Sequence, residues 1–112
     1  MNLIDDTLRI LNAMRELENV TVTTKWPKGE AKIPVVLVTL AGDRSADRRD
    51  DRRYLTELEY YVRVFAARAD DMRRACADVH TALEGLGYEL TFRWEEPGEG
   101  WRQTALRYKI YL

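Results

Sequence analysis

Two pairs of residues in the sequence are of the types that catalysis uses. Cys76 and His80 lie four positions apart, so their side chains would be neighbours on a helix. A thiol beside an imidazole is the arrangement of a nucleophile and its general base. Glu57 and Glu59 would lie about 7 Å apart on one face of a strand, a separation at which paired carboxylates hydrolyse glycosidic bonds. These four residues are the candidates for an enzyme active site.

Each pair also has a simpler structural interpretation. Cys76 falls in the middle of an apolar helical stripe, where a small buried thiol is common, and a zinc site would need two further ligands at a recognised spacing. Glu57 and Glu59 stand near an arginine-rich segment, which favours ion pairs across a sheet. The sequence contains no phosphate-binding glycine loop and no Gly-x-Ser-x-Gly motif. It therefore predicts a protein without enzymatic activity, bound metal or cofactor.

The elements that must position these residues follow from hydrophobic periodicity. A 3.6-residue period predicts helices over 3–17 and 70–86. Alternating apolar and β-branched residues predict strands over 20–25, 35–40, 54–66, 88–94 and 101–112. The order α-β-β-β-α-β-β, with short connections, predicts an α+β fold: a mainly antiparallel sheet of four to five strands with two helices packed on it. We expect residues 1–112 to form a single domain.

Alternation also predicts which side chains face the core. In the third strand the better core face contains Leu58, Tyr60, Val62 and Val64. In the fourth strand we expect a single face to carry Tyr88, Leu90, Phe92 and Trp94. The second helix presents an apolar stripe to the sheet, formed by Met72, Ala75, Cys76, Val79, Leu83 and Leu86.

The stretch 43–53 is unusually charged, with five arginines and four aspartates among eleven residues. No packed core can be built from it, so we predict an extended charged loop. Its cations could contact phosphates, although the aspartates nearly cancel their charge. These cations are Arg44, Arg48, Arg49, Arg52 and Arg53.

Composition narrows the class of protein further. The chain has 112 residues and a formal net charge of −1, which gives no global field to attract a polyanion. Its single cysteine cannot form an internal disulfide. The acidic first turn does not resemble a signal peptide. We therefore expect a soluble protein that is made and folded in the cytoplasm.

Several large side chains are predicted on outward faces, which indicates an interface. Ile4 and Leu8 widen the apolar face of the first helix beyond a normal surface stripe. Aromatic residues and arginine are enriched at interface centres, and the second face of the long strand carries Tyr61, Arg63 and Phe65. The last strand adds Trp101 and Tyr111, and Trp26 ends the first strand. We expect these faces to bind further subunits of a homo-oligomer.

The layout resembles that of the tail-completion, or tail-terminator, proteins of long-tailed bacteriophages and prophages. The similarity lies in the short N-terminal helix, the Ile33-Pro34-Val35-Val36 start of a strand and the polar loop after it. It continues through the strand 59–66, which runs straight into the helix 70–86, and ends in the closing strand Arg107-Tyr108-Lys109-Ile110-Tyr111. The resemblance covers nearly the whole chain.

The resemblance implies a non-enzymatic structural protein located in the virion at the head–tail junction. Such proteins form a ring, usually a hexamer, that caps the tail tube and joins it to the head-side connector. DNA passes only transiently through the lumen, and the 43–53 loop would be a lumen or joining element. Two alternatives are another neck or minor capsid component with a similar layout, and a small cytoplasmic α+β enzyme using Cys76 and His80 or Glu57 and Glu59.

Overall fold

A computed structural model describes residues 3–18, 20–25, 34–45, 56–97 and 102–111. Within this part of the chain the element order is α-β-β-β-α-β-β, which confirms the predicted α+β architecture. The elements are α1 (Leu3–Arg15), β1 (Thr21–Thr23), β2 (Val35–Ser45), β3 (Thr56–Ala66), α2 (Ala69–Gly85), β4 (Glu89–Pro97) and β5 (Arg102–Tyr111).

The five strands form one mixed sheet in the order β1-β2-β3-β5-β4. Three of its four pairings are antiparallel, and β5 lies between β3 and β4. The short edge strand β1 instead pairs parallel with β2, so the sheet is mainly antiparallel, as predicted, with one parallel pairing at its edge. Residues 24–34 connect β1 to β2, and this is close to the length that a parallel crossover needs.

Both helices contribute to one core against one face of the sheet. The core contains Ile10, Leu11 and Met14 from α1, and the α2 stripe packs beside them with Met72, Ala75, Cys76, Val79 and Leu83 buried. The sheet supplies the predicted face of β3, namely Leu58, Tyr60, Val62 and Val64, together with Val36, Val38, Leu106 and Tyr108. The opposite face, called the open face below, is not packed against either described helix.

The first strand of the β2–β3 hairpin runs further than the sequence indicates. The register shifts at a bulge between Leu40 and Gly42, and β2 continues beyond Gly42 to Ser45. Residues 43–45 pair with Leu58, Glu57 and Thr56 of β3, so the first three residues of the predicted loop lie in a strand. Residues 46–53 of that loop lie outside the described part of the chain.

A second bulge, in β4, changes which face its aromatic residues occupy. The register of β4 on β5 shifts between Leu90 and Phe92. As a result Phe92 pairs with Arg107 and Trp94 pairs with Ala105, whereas Leu90 pairs with the core residue Tyr108. The prediction that all four apolar residues of this segment share one face is therefore wrong for Phe92 and Trp94, because one extra residue reverses the alternation.

The end of α2 positions the next core residue. Gly87 has a φ of 95°, a left-handed conformation that glycine adopts without a steric penalty. This turn lets the backbone N–H of Tyr88 donate to the carbonyl oxygen of Leu83, at 3.0 Å. The chain reverses at once, and Tyr88 enters the core.

Candidate functional site

The structure does not assemble the candidate nucleophile and base, Cys76 and His80, into an active site. Cys76 is buried, and its Sγ lies 3.7 Å from the Sδ of Met72. Burial raises the pKa of the Cys76 thiol, so the reactive thiolate is disfavoured. The imidazole of His80 has other partners: Nδ1 lies 2.9 Å from the hydroxyl of Tyr108, and Nε2 lies 2.9 Å from Oε2 of Glu84. The Cys76–His80 pair therefore packs an α-helix against a strand.

The two glutamates of β3 share the open face, as their spacing predicts, but they bind neighbouring side chains. Oε2 of Glu59 accepts from Nε and Nη2 of Arg107, at 3.0 and 2.8 Å. Oε1 of the buried Glu57 accepts from the hydroxyl of Tyr111, at 3.0 Å. The predicted ion pair across the sheet is thus present at Glu59. In the described ranges no group of three His, Cys, Asp or Glu side chains could hold a metal ion.

An aromatic cluster lies on the open face instead, between β3 and the edge strand β4. We call Tyr61, Phe92 and Trp94 the aromatic strip. The rings of Tyr61 and Trp94 meet edge to face, with centroids 5.6 Å apart, and those of Phe92 and Trp94 are 5.4 Å apart. The guanidinium of Arg63 lies 4.8 Å from the centroid of the Tyr61 ring. Phe92 is 57% exposed, whereas Tyr61 and Trp94 are half-buried, so the strip meets solvent mainly through Phe92.

The strip is the type of surface that recognises a protein partner. Rings held by one another lose little side-chain entropy on binding, and aromatic residues with arginine dominate interface hot spots. The polar end of Trp94 is satisfied within the chain, since its indole N–H donates to Oε1 of Glu96 at 3.1 Å. Because alternation predicts Phe92 and Trp94 on the same face as Tyr88 and Leu90, only the strand register reveals that these two rings lie on the open face.

Other predicted interface residues have mixed outcomes. Leu8 and Tyr111 are 46% and 45% exposed, and Tyr61 and Arg63 are half-buried. Phe65 is different: it is only 6% exposed and forms a small second cluster with Val35 and Leu37 on the open face. It therefore offers little surface to another subunit, which corrects that part of the expectation.

Several predicted residues fall where the structure gives no side chain. Trp26 and Trp101 lie outside the described residues, as do Arg48, Arg49, Arg52 and Arg53 of the charged stretch. Ile4 is placed in α1 and Arg44 in β2, without a description of their side chains. The proposed roles of these residues stay predictions.

A buried polar cluster that the sequence patterns do not predict links α1 to the sheet by hydrogen bonds. The fully buried carboxylate of Asp6 accepts from the hydroxyl of Tyr88 at 2.7 Å and from Nη2 of Arg9 at 3.0 Å, both at Oδ1. Thr7 and Tyr60 add a hydroxyl contact of 3.1 Å. Burial and the adjacent carboxylate raise the pKa of Tyr88, and burial raises the pKa of Tyr60 to about 12. The sequence does indicate that Asp6 faces the core, because it lies four and eight residues before the core residues Ile10 and Met14 on the same helix.

On the helix side of the molecule a shallow groove runs between α1 and the end of α2. Its volume is about 440 Å³, and it is lined by Leu8, Arg9, Asn12, Ala13, Glu16 and Leu86. We call it the helix groove. It brings the exposed Leu8 together with two further apolar side chains, Ala13 and Leu86.

Comparison with known proteins supports the fold over the full length. No family model matches the chain, and no curated protein matches it in sequence. Among solved structures it is similar to a chain of the virion of a native gene transfer agent particle, with a TM-score of 0.58 and 17% sequence identity. The similarity covers 99% of this chain and 98% of that chain. At this identity the likeness shows a shared fold.

No helix among the described residues is long and apolar enough to cross a membrane.

Proposed function

We propose that this protein is a structural component of a phage-like virion, and that it forms a ring at the head–tail junction that completes the tail tube. The observation that carries the proposal is the full-length likeness to a chain of a gene transfer agent virion. Because the match leaves almost no residue of either chain unaligned, the likeness covers the fold as a unit and not one motif.

The open face supports a role in assembly. A virion component must bind copies of itself or other structural proteins, and it needs exposed apolar anchors for that purpose. The aromatic strip supplies such anchors on a sheet whose other face is already filled by two helices. The candidate catalytic residues are engaged in packing and ion pairs, which favours a structural role.

The proposed partners are further copies of the chain, the tail-tube protein and the head-side connector. DNA is expected to pass through the lumen without stable binding, since the net charge of the chain is −1 and counterion release from phosphates needs an excess of cations. Before assembly the protein would lie in the host cytoplasm.

The first test is native mass spectrometry of the purified protein over a concentration series, with electron micrographs of the same samples. We expect a ladder of subunits that ends at one ring size, nominally six times the 13.1 kDa mass of the protomer. Micrographs should show closed rings. Open fibres of unlimited length would contradict a ring.

A second test locates the chain in the particle. An affinity-tagged copy expressed during particle production should label the point where head and tail meet, and particles lacking the chain should separate into heads and unjoined tails. Labelling of the capsid surface would instead identify a minor capsid component. Labelling of the neck in particles that still join without the chain would identify another neck protein.

A further inference from the structure

The strand β4 forms one edge of the sheet, so its outer side faces away from the other strands. Within the described residues β4 pairs only with β5. The opposite edge strand, β1, has three residues, whereas β4 has nine. An edge of this length presents a row of backbone N–H and C=O groups that can pair with another chain. The side chains of residues 91–96 are exposed or half-buried, so this is the edge at which a second sheet could be added.

Two charged side chains of β4 occupy positions that would otherwise extend the core. Arg93 pairs with Leu106, and Glu95 pairs with Thr104. Residues directly opposite each other in a sheet share a face, and both Leu106 and Thr104 are buried. The core side of the sheet therefore changes from buried residues in β5 to charged residues at its edge.

These two charges form an exposed ion pair. Nη2 of Arg93 lies 3.3 Å from Oε1 of Glu95, and the two side chains are 50% and 69% exposed. Ion pairs with this much exposure contribute little to the free energy of unfolding. A strand added at the edge would remove water from both groups, and the desolvation of an ion pair opposes association. The pair thus disfavours a neighbouring strand, although the fold itself does not depend on it.

Two features of the backbone act in the same direction. The bulge leaves Thr91 without a partner in the register of β4 on β5, and its hydroxyl donates to the carbonyl oxygen of Arg107 at 3.1 Å. A bulge bends its strand and increases the local twist, which disrupts the regular spacing that a further strand would need. Pro97 ends β4 and has no backbone N–H to donate.

We propose that β4 is a protected edge: the ion pair of Arg93 with Glu95, the bulge and Pro97 together prevent a second copy of this chain from extending the sheet. Copies that assemble must then meet through side chains on other surfaces, and a ring of copies cannot share one continuous sheet through β4. The statement about the ring rests on the proposed function, whereas the protection of the edge does not.

The experiment removes the edge charges and compares the result with a matched pair elsewhere. In the edge variant, Arg93→Thr/Glu95→Thr, both charged residues become a neutral residue that favours strands. The control variant, Asp70→Thr/Arg73→Thr, removes an ion pair on α2 whose side chains are 70% and 74% exposed. Each double variant loses one cation and one anion, so both keep the net charge of −1.

Sedimentation velocity over a concentration series measures the size of the species, and amide hydrogen exchange of residues 89–97 measures pairing at the edge. We expect the edge variant to form larger species than the wild type and the control variant at the same concentration. Its β4 amides should exchange several-fold more slowly as it associates. Equal sizes of the edge and control variants would overturn the proposal, and so would association that leaves exchange in β4 unchanged.

The wild-type protein supplies a test that does not depend on how a variant folds. Amide exchange of residues 89–97 is compared at low concentration and at a concentration where native mass spectra show assembly. We expect the same rates in both samples. Slower exchange of β4 in the assembled sample would overturn the protected edge and leave the ring in place. If the wild type forms no ring but the edge variant associates through β4, the proposed function fails and the protected edge stands.

Discussion

The two faces of the same sheet use similar residues for different purposes. Tyr60 and Tyr61 are adjacent in β3, yet Tyr60 is fully buried beneath α1 and bonded to Thr7, while Tyr61 is half-exposed and packs on Trp94. β5 repeats the contrast, with Tyr108 buried against α2 and Tyr111 exposed on the open face. On the helix-covered face the tyrosines complete a core, and on the open face they form a surface.

This difference separates stability from recognition. Side chains on the covered face are removed from water by two helices, so their contribution to the free energy of unfolding is large. The rings of Tyr61, Phe92 and Trp94 on the open face contact one another, and Phe92 keeps 57% of its surface in solvent while Tyr61 and Trp94 are half-buried. A protein gains little stability from such a surface, and an exposed apolar patch of this kind indicates a binding site.

The largest expected effect is a loss of the fold at alkaline pH, which tests the covered face as a whole. Burial raises the pKa of Tyr60 to about 12, and it raises the pKa values of Tyr88 and Tyr108 as well. Above pH 10 the unfolded chain loses these protons while the folded chain keeps them, so stability is intact below pH 10 and falls as the pH rises. Burial of Cys76 acts with the same sign.

Thermal unfolding followed by circular dichroism at pH 9, 10, 11 and 12, together with tyrosinate absorbance, measures this effect. Tyr60→Phe removes one of the titrating groups and should make the decline shallower. A melting temperature that stays constant up to pH 12, or an identical decline in Tyr60→Phe, would contradict the role of the buried hydroxyls.

The second prediction compares two leucines. Leu83 of α2 is fully buried, whereas Leu40 of β2 is 42% exposed. Leu83→Ala should lower the free energy of unfolding by about 2–5 kcal/mol because it leaves a cavity in the core, and Leu40→Ala should cost about 1 kcal/mol or less. Urea denaturation curves of the two variants provide the comparison. Equal losses would mean that the helices do not shield the sheet as described.

The third prediction compares two hydroxyls that donate to carboxylates. Tyr88, which is itself buried, donates to the buried Asp6 at 2.7 Å, and Tyr111, which is 45% exposed, donates to Glu57 at 3.0 Å. Tyr88→Phe should cost about 1.5–3 kcal/mol, since a buried charged acceptor loses a donor. Tyr111→Phe should cost less, about 1 kcal/mol, because, although Glu57 is also buried, Tyr111 is 45% exposed and water can take the place of its hydroxyl. The midpoints of urea unfolding of the two variants measure this difference. The reverse order would contradict the role of the Tyr88–Asp6 hydrogen bond in holding α1 on the sheet.

The sequence predicts the element order and the covered face well, because both depend on periodic patterns that extend over many residues. The alternation of Leu58, Tyr60, Val62 and Val64 and the stripe of α2 each repeat their period several times. Parallel pairing of β1 with β2, and the place of β5 between β3 and β4, are tertiary choices that no local pattern specifies.

The open face is predicted less completely, and the reason is local. One additional residue at the β4 bulge moves Phe92 and Trp94 to the other side of the sheet without changing the composition of the strand. Phe65 alternates correctly with Arg63 and Tyr61, but Val35 and Leu37 pack against it and bury it. Alternation identifies a face, whereas burial on that face depends on its neighbours.

The smallest expected change in stability tests the bulge that creates the aromatic strip. Leu90 and Phe92 lie on either side of the register shift, with Leu90 packed against the core and Phe92 in solvent. Phe92→Ser should change the free energy of unfolding by less than about 1 kcal/mol, although phenylalanine is the larger side chain. Leu90→Ser should cost about 1–2 kcal/mol, because it removes partly buried apolar surface. Urea denaturation of both variants at low protein concentration, where copies do not associate, gives the order directly. If Phe92→Ser lowered the free energy of unfolding more than Leu90→Ser, Phe92 would have to contribute to the core, and the two faces would not differ in the way described.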